Sequence, residues 1–275
     1  MSQASGSAVR FGLVTLFPEF FASPLATSMI GRAIQSGAVE IQTSAIRDFA
    51  TNKARTVDDT PYGGGSGMIL RATEVSAATL NARQAMPGLP IILMTPQGER
   101  FTQRHASTLA SVGGAIFVCG RYEGVDERFV EQYVDIELSL GDFVLTGGEP
   151  AALVMIDAIA RLRPGVLGNE HSAVDESFSS PRLEYPQFTR PAEFEGIGVP
   201  PLLAGGDHAR VAQWRRRLSL LRTQSRRPDL LEGAALDRVE AKWLAEGATS
   251  EEEWLIRPRT LDGWLARRPD SGSDV

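Results

Sequence analysis

The chain has 275 residues, with 43% hydrophobic and 23% charged content, which is that of an ordinary globular protein with room for one large domain or two modest ones. A net charge of −6 argues against indiscriminate polyanion binding, the lone Cys119 excludes an intramolecular disulfide framework and suits a reducing cytoplasm, and three scattered histidines (His105, His171, His208) argue against a histidine-rich metal site. No apolar run approaches membrane-spanning length; the best candidate, around residues 151–160, is broken by Asp157.

Taken in chain order, MSQASGSAV reads as a polar lead before the first strand rather than a signal peptide. Short apolar runs at 10–17, 39–46, 90–95, 115–120 and 134–140 read as strands. Helical patterns at 23–37, 74–85, 103–113 and 125–133 lie between them. This alternation predicts an α/β layered domain whose parallel strands are covered by helices on both faces. A further strand-like run, Phe143 to Leu145, meets Gly147-Gly148, and an apolar helix follows directly. Residues 163–191 are rich in Pro, Gly, Ser and charge, and read as a linker with an extended approach to a second domain. That second domain reads as small and helical. Its first helix starts at a plausible N-cap, Asp207, with Trp214, Leu218 and Leu221 as an apolar stripe. Further helices are expected over 234–247 and 249–256. From Ala209 to Pro228 there are seven arginines and no acidic residue, whereas 229–253 is rich in Asp and Glu. A basic patch on an acidic protein points to a localised anionic partner.

Three strand ends stop at unusual turns: MTPQGERF, CGRYEGVDERF and SLGDFVLTGGE. Ligands of α/β sheets sit outside the carboxyl ends of strands, so three such turns can converge on one pocket. Glycine lets backbone approach a ligand closely, and Glu123, Asp126 and Asp142 bring charge. Taken singly, each is equally an ordinary tight βα corner. A dinucleotide site is disfavoured, because no G-x-G-x-x-G opens the first helix and no acidic residue follows at the expected distance. PYGGGSGMIL (61–70) has the glycines of a phosphate loop but no G-K-[ST]; it reads as a flexible loop or as a lid over substrate.

LVTLFPEFF, DDTPYGGGSGM, GRYEGVDER, LGDFVLTGGE, IDAIAR, PGVLGN and FTRP occur in this order. With them the chain closely resembles the TrmD family of bacterial tRNA (guanine-37-N1)-methyltransferases, of the SPOUT class of S-adenosylmethionine-dependent RNA methyltransferases. The resemblance extends to QWRRRLSLLRT and RRPDLL and so covers almost the whole chain. It implies a SPOUT-type parallel sheet with a deep trefoil knot, a feature periodicity cannot suggest. The domains would be a knotted donor-binding domain over 1–168, a flexible linker carrying the catalytic acid over 169–185, and a helical tRNA-binding domain over 186–275. Carried over by motif, Thr95, Pro96 and Gln97 form one wall of the S-adenosylmethionine site, and Gly120, Tyr122 and Glu123 another. Leu140, Gly141, Asp142, Phe143, Val144, Leu145, Gly147 and Gly148 form the third. The resemblance also implies a cytoplasmic homodimer with composite active sites, and magnesium in catalysis with Glu123 as a possible participant; nothing in the spacing demonstrates a metal site.

Methylating guanine N1 requires orienting two reactants and removing the N1 proton. A carboxylate is the natural base, and a nearby cation can stabilise charge growing on O6 and N1. The resemblance gives the cation's role to Arg161, which read alone is a helical surface partner of Asp157. It gives the base's role to an acid in the linker, and here the chain departs from the family pattern. Where the family usually has Asp-Ser-Phe, this chain has DESF. Counting from IDAIAR places Glu176 at the catalytic acid, with Asp175 one residue before it. Extruded guanine would be held through phosphate contacts of the arginine-rich helix, with Arg215, Arg216 and Arg222 as candidates. Competing readings are a ribose 2′-hydroxyl methyltransferase on the same fold, an RNA-binding protein that has lost turnover, and a dinucleotide-dependent oxidoreductase.

Overall fold

The computed structural model describes residues 8–167 and 176–266. His171 and Asp175 lie outside the described residues. The chain divides into two compact units, Met1–Ala173 and Val174–Val275.

The first unit contains β1 (Val9–Thr15), α1 (Ala22–Leu25), α2 (Ser28–Gln35), β2 (Val39–Ala45), a ribbon of β3 (Asp58–Asp59) and β4 (Ile69–Leu70), and α3 (Ala72–Ala85). It continues through β5 (Ile91–Arg100), α4 (Gln103–Val112), β6 (Gly114–Cys119), α5 (Glu127–Tyr133), β7 (Ile136–Ser139) and α6 (Glu149–Ala160). Five strands form one parallel sheet in the order β2-β1-β6-β5-β7. The central strands are nearly continuous apolar runs, as burial on both faces requires. Alternate residues serve opposite faces. Phe11, Leu13, Phe117, Cys119, Ile92 and Met94 pack with α2, α4 and α6, whereas Val14, Ile116, Val118, Ile91 and Leu93 pack with α3 and α5. The α/β parallel architecture expected from the alternation of runs is therefore present.

Three local expectations are corrected. The single helix expected over 23–37 is two, because the chain is extended at Thr27 and Ser28 takes a positive φ of 58°. The run Phe143 to Leu145 is not a strand: it has no partner strand and forms an exposed loop between β7 and α6. The strand expected to end at residue 95 continues to Arg100. Met94 and Glu99 both lie opposite Leu138, so Thr95–Gly98 are looped out of the ladder. Gly98 makes this possible, since a Cβ there would overlap the backbone of Glu137 and Leu138.

The second unit contains β8 (Glu193–Phe194), β9 (Ile197–Gly198), α7 (Pro201–Ala204), α8 (His208–Arg226), α9 (Arg238–Glu246), α10 (Glu253–Ile256) and α11 (Leu261–Leu265). Asp207 caps α8 by accepting from the Arg210 backbone N–H at 3.1 Å. Leu218, Leu220 and Leu221 are buried, and Trp214 packs half-buried near Phe188. The later helices are shorter than expected. α9 begins at a capping box of Asp237 and Glu240 and stops at Gly247 (φ 71°), after which Thr249–Glu252 form a turn. Residues 177–184 are tied to one another and to α8: Glu184 N–H donates to Ser177 Oγ at 2.9 Å, Leu183 N–H to Thr223 Oγ1 at 2.9 Å, and Ser219 Oγ–H to the Leu183 carbonyl at 2.6 Å.

Glu240 is the electrostatic centre of this unit, with a side chain only 3% exposed. Arg182 lies 2.7 Å and Arg216 2.6 Å from its Oε1. The Arg182 hydrogen bonds, then those of Arg216, hold its carboxyl below the usual glutamate range. Because the folded value is lowered, the stabilisation is complete above the unfolded glutamate value near ~4.3 and is lost as pH falls through the folded value. The urea midpoint of Glu240→Gln should lie below that of the parent chain at pH 6, and the gap should close towards pH 3. A gap independent of pH would contradict the ion-pair assignment.

For the looped-out segment, Gly98→Ala should cost about 1–3 kcal/mol in denaturant unfolding, the usual range for overpacking. Gly198→Ala, whose Cβ would meet open space, should lie within about 0.5 kcal/mol of the parent chain. Equal stabilities of the two variants would show that the close approach at Gly98 is not a constraint.

Candidate functional site

The carboxyl ends of β5, β6 and β7 open onto one cavity of about 340 Å³, within the roughly 300–1,000 Å³ range of small-molecule sites. Thr95, Pro96 and Gln97 reach it because the β5 excursion lifts them out of the ladder. Gly120, Tyr122 and Glu123 reach it from the turn after β6, where Tyr122 takes a positive φ of 59°. Leu140, Gly141, Phe143, Val144, Leu145, Gly147 and Gly148 line it from the loop after β7. Asp142 does not line it; its carboxylate is 89% exposed and pairs with Arg100 at 2.8 Å. Glu127 and Glu137 also line the cavity, so with Glu123 three glutamates stand on its wall among the described residues. Glu127 falls within the GRYEGVDER motif at the start of α5, whereas Glu137 lies on β7, whose local pattern is simply that of a strand.

The glycine pair closing the loop fits against protein as well as against the cavity. A Cβ on Gly148 would lie 2.8 Å from Cys119 Cα and 2.9 Å from Met94 Cβ, and one on Gly147 would overlap the Arg121 guanidinium. The Gly148 N–H donates to the Gly120 carbonyl at 2.9 Å, and Arg121 and Gly147 form an antiparallel bridge. The loop after β7 is therefore bolted to the end of β6.

Beside this bolt lies Glu149, at the start of α6 and 0% exposed. Thr15 Oγ1–H, at the end of β1, donates to Glu149 Oε1 at 2.7 Å. Arg121 Nε lies 2.9 Å from Glu149 Oε2, an ion-pair distance off the axis of a hydrogen bond. The same guanidinium donates from Nη1 to the Thr146 carbonyl at 3.1 Å and sits 4.7 Å from the centre of the Phe17 ring. Among the described residues Arg121 is the one arginine on the cavity wall, and it is matched by a buried carboxylate, while Glu123, Glu127 and Glu137 add negative charge to the wall. Burial, and then the Glu149 charge, push the Cys119 thiol well up, so it is protonated and no nucleophile.

The remaining expected residues lie elsewhere. Arg161 caps the far end of the 12-residue α6, ~18 Å along the helix from the Gly148 turn, and is not on the cavity wall. In the second unit, Glu176 lines a concavity with Ser180, Tyr185 and Arg215, and its carbonyl accepts from Ser179 Oγ–H at 2.6 Å. Arg215 lies 4.8 Å over the Tyr185 ring. Arg216 pairs with Asp237 and Glu240, whereas Arg222 lines another concavity of the second unit, in which no described lining residue is acidic. The glycine-rich segment 61–67 is largely exposed and is not on the cavity wall; past it, Glu123 N–H donates to the Met68 carbonyl at 3.0 Å. Among the described residues, no three His, Cys, Asp or Glu side chains gather as a metal-binding set.

Glu149→Gln should keep the Thr15 hydrogen bond but leave Arg121 without its counter-charge. A loss of about 3 kcal/mol is expected in thermal or chemical unfolding, against about 0.5 kcal/mol or less for Glu40→Gln on the exposed side of β2. An unchanged stability would remove the ion pair from the account of how the cavity is held.

Comparison with known sequences identifies the family. The model of the family described as tRNA (Guanine-1)-methyltransferase TrmD matches residues 9–233. The tRNA (guanine-N(1)-)-methyltransferase of Syntrophotalea carbinolica is 53% identical over 236 residues, covering 86% of this chain and 95% of that protein. The proteins of the same name from Geobacillus kaustophilus and Chloroflexus aggregans are 48% and 50% identical, covering 89% and 90% of this chain and 100% of each relative. The chain belongs to the TrmD family of tRNA (guanine-N1)-methyltransferases.

Proposed function

We propose that the chain moves the methyl group of S-adenosylmethionine to N1 of guanine 37 of tRNA, in the cytoplasm and as a homodimer. The observation that carries the donor assignment is the cavity at the ends of β5, β6 and β7, with three glutamates and one arginine on its wall among the described residues, the arginine matched by Glu149. A sulfonium cation is favoured there, whereas the pyrophosphate of a dinucleotide would meet like charge. The turns at 95–98, 120–124 and 140–148 offer backbone N–H and C=O groups to an adenosine, and Leu138 and Leu140 offer apolar surface. The looped-out residues of β5 and the bolting of the 140–148 loop under β6 are compatible with a knotted crossing, and we assign a trefoil knot to this region.

The bound donor supplies an electrophilic methyl group, whose bond to sulfur breaks as the bond to N1 forms. The protein's part is to hold the guanine in line and take its N1 proton. Glu176 is assigned as the base, with Asp175 as the alternative, and Arg161 stabilises negative charge on O6 and N1. Within one chain Arg161 is ~18 Å along α6 from the Gly147-Gly148 turn. A second copy can bring its own Arg161 to the site, which is the reason for assigning a composite dimer. The exposed Phe143, Val144 and Leu145, with Val154 on α6, give the first unit an apolar surface for such contact. Magnesium finds no ready-made set of protein ligands among the described residues, and Glu123 is one of three glutamates that line the cavity. We assign residues 1–168 to the donor domain, 169–185 to the linker and 186–275 to tRNA binding. Arg215 and Arg222 contact phosphate directly, and Arg216 does so only by sharing its charge with Asp237 and Glu240. No helix of the described residues is long and apolar enough to cross a membrane.

Labelled methyl transfer from S-adenosylmethionine to a tRNA transcript with guanine at position 37 tests this reading. Incorporation is expected there and not into the same transcript carrying adenine. Glu176→Gln should then lower the rate by about 10²–10⁴-fold, the usual worth of a general base, with Asp175→Asn close to the parent enzyme. The reverse pattern would transfer the base to Asp175. Label on ribose 2′-oxygen would redirect the chemistry, and donor binding without transfer would make the chain a binding protein.

A further inference from the structure

We propose that the concavity between residues 186–188, the last turns of α8 and the segment 254–260 is an RNA subsite that takes one backbone phosphate and stacks one base. The inference rests on the reading of tRNA as substrate, and it locates a contact within the second unit.

The concavity, of about 580 Å³, is lined by Arg222, Arg226 and Arg259, and none of the described residues lining it is acidic. Arg222 and Arg226 are one turn apart on α8, so their heads rise on the same side. Their neighbours on this helix are treated differently by the fold: Arg216 is matched by Asp237 and Glu240, and Arg217 by Glu252, while just beyond the helix Arg227 is matched by Asp229. Asp229, Asp237, Glu240 and Glu252 are thus engaged by those arginines, and among the described residues no acid pairs with this trio. Arg226 is anchored, donating from Nε to the Ile256 carbonyl and from Nη2 to the Arg257 carbonyl, both at 2.9 Å. Burial, then the charges of Arg222 and Arg259, push its guanidinium below the usual arginine value. Three like charges held together in this way destabilise one another, and a bound anion offsets that cost.

The other walls suit a nucleobase. Phe188 and Trp254 meet edge to face with ring centres 6.0 Å apart, and Trp254 remains 41% exposed. Leu255 and Pro258 complete an apolar floor. A rigid aromatic surface beside unpaired arginines is the arrangement that holds unpaired nucleotides, with stacking worth ~1–3 kcal/mol per base. Arg226 is the fixed member, and Arg222 and Arg259 are the arms that close on the phosphate.

The experiment is equilibrium binding of the full chain to the guanine-37 tRNA transcript, as a function of KCl, for the parent and for Arg222→Ala, Arg259→Ala and Trp254→Leu. Each arginine variant should lower the slope of log K against log[KCl] by about one unit. Trp254→Leu should weaken binding by about 5- to 150-fold, the equivalent of the stacking energy above, with the slope unchanged. Melting temperature and S-adenosylmethionine affinity should match the parent, which separates a lost contact from a lost fold. A parent chain that binds and methylates this tRNA, beside well-folded variants with parental affinity and slope, would overturn the subsite alone. A parent chain that neither binds nor methylates it would overturn the functional reading, and this inference with it.

Discussion

The buried carboxylate of Glu149 is the constraint on which the candidate site depends. It begins α6, takes a hydrogen bond from Thr15 at the end of β1 and faces Arg121 just after β6. Three segments far apart in sequence therefore share one fully buried charge. Such a charge is tolerated only where partners satisfy it, and removing any partner leaves the others exposed to the full cost of desolvation. Arg121 passes that constraint on, because the same guanidinium holds the Thr146 carbonyl and occupies the space over Gly147. The cavity wall from residue 140 to 148 is thus positioned by interactions behind it.

This arrangement also explains the glycine turn that looks like a nucleotide-binding fingerprint and is not one. In a dinucleotide fold the glycines admit a pyrophosphate near a helix N-terminus. Here the start of α6 is occupied by the protein's own carboxylate, and Gly148 rests on Cys119 and Met94. Charge is partitioned accordingly. Among the described residues the cavity wall of the first unit carries three glutamates, whereas positive charge without acidic partners is gathered in the second unit around Arg222, Arg226 and Arg259. A net charge of −6 averages over both and conceals each.

Much of the fold was legible in the sequence because its signals are local. Continuous apolar runs gave the central strands, and Asp207 with Leu218 and Leu221 gave α8. What escaped was set across the sheet or over long distances. The β5 excursion is fixed by double pairing to Leu138, and the Thr15–Glu149 bond spans 134 residues. The apolar run Phe143 to Leu145 misled because side-chain character resembles that of a strand, while no neighbouring strand offers it a ladder. The turn motifs pointed to the three segments that meet at the cavity; the departure of Asp142 from the wall reflects its pairing with Arg100, which motif order does not encode.

The central claim is that the strand-end turns hold the methyl donor, and amide hydrogen exchange of the full chain with and without S-adenosylmethionine tests it most directly. The account predicts slowed exchange concentrated in 95–98, 120–124 and 140–148, with 61–67 and α8 little changed. Slowed exchange centred on other segments, or none at saturating donor, would contradict it.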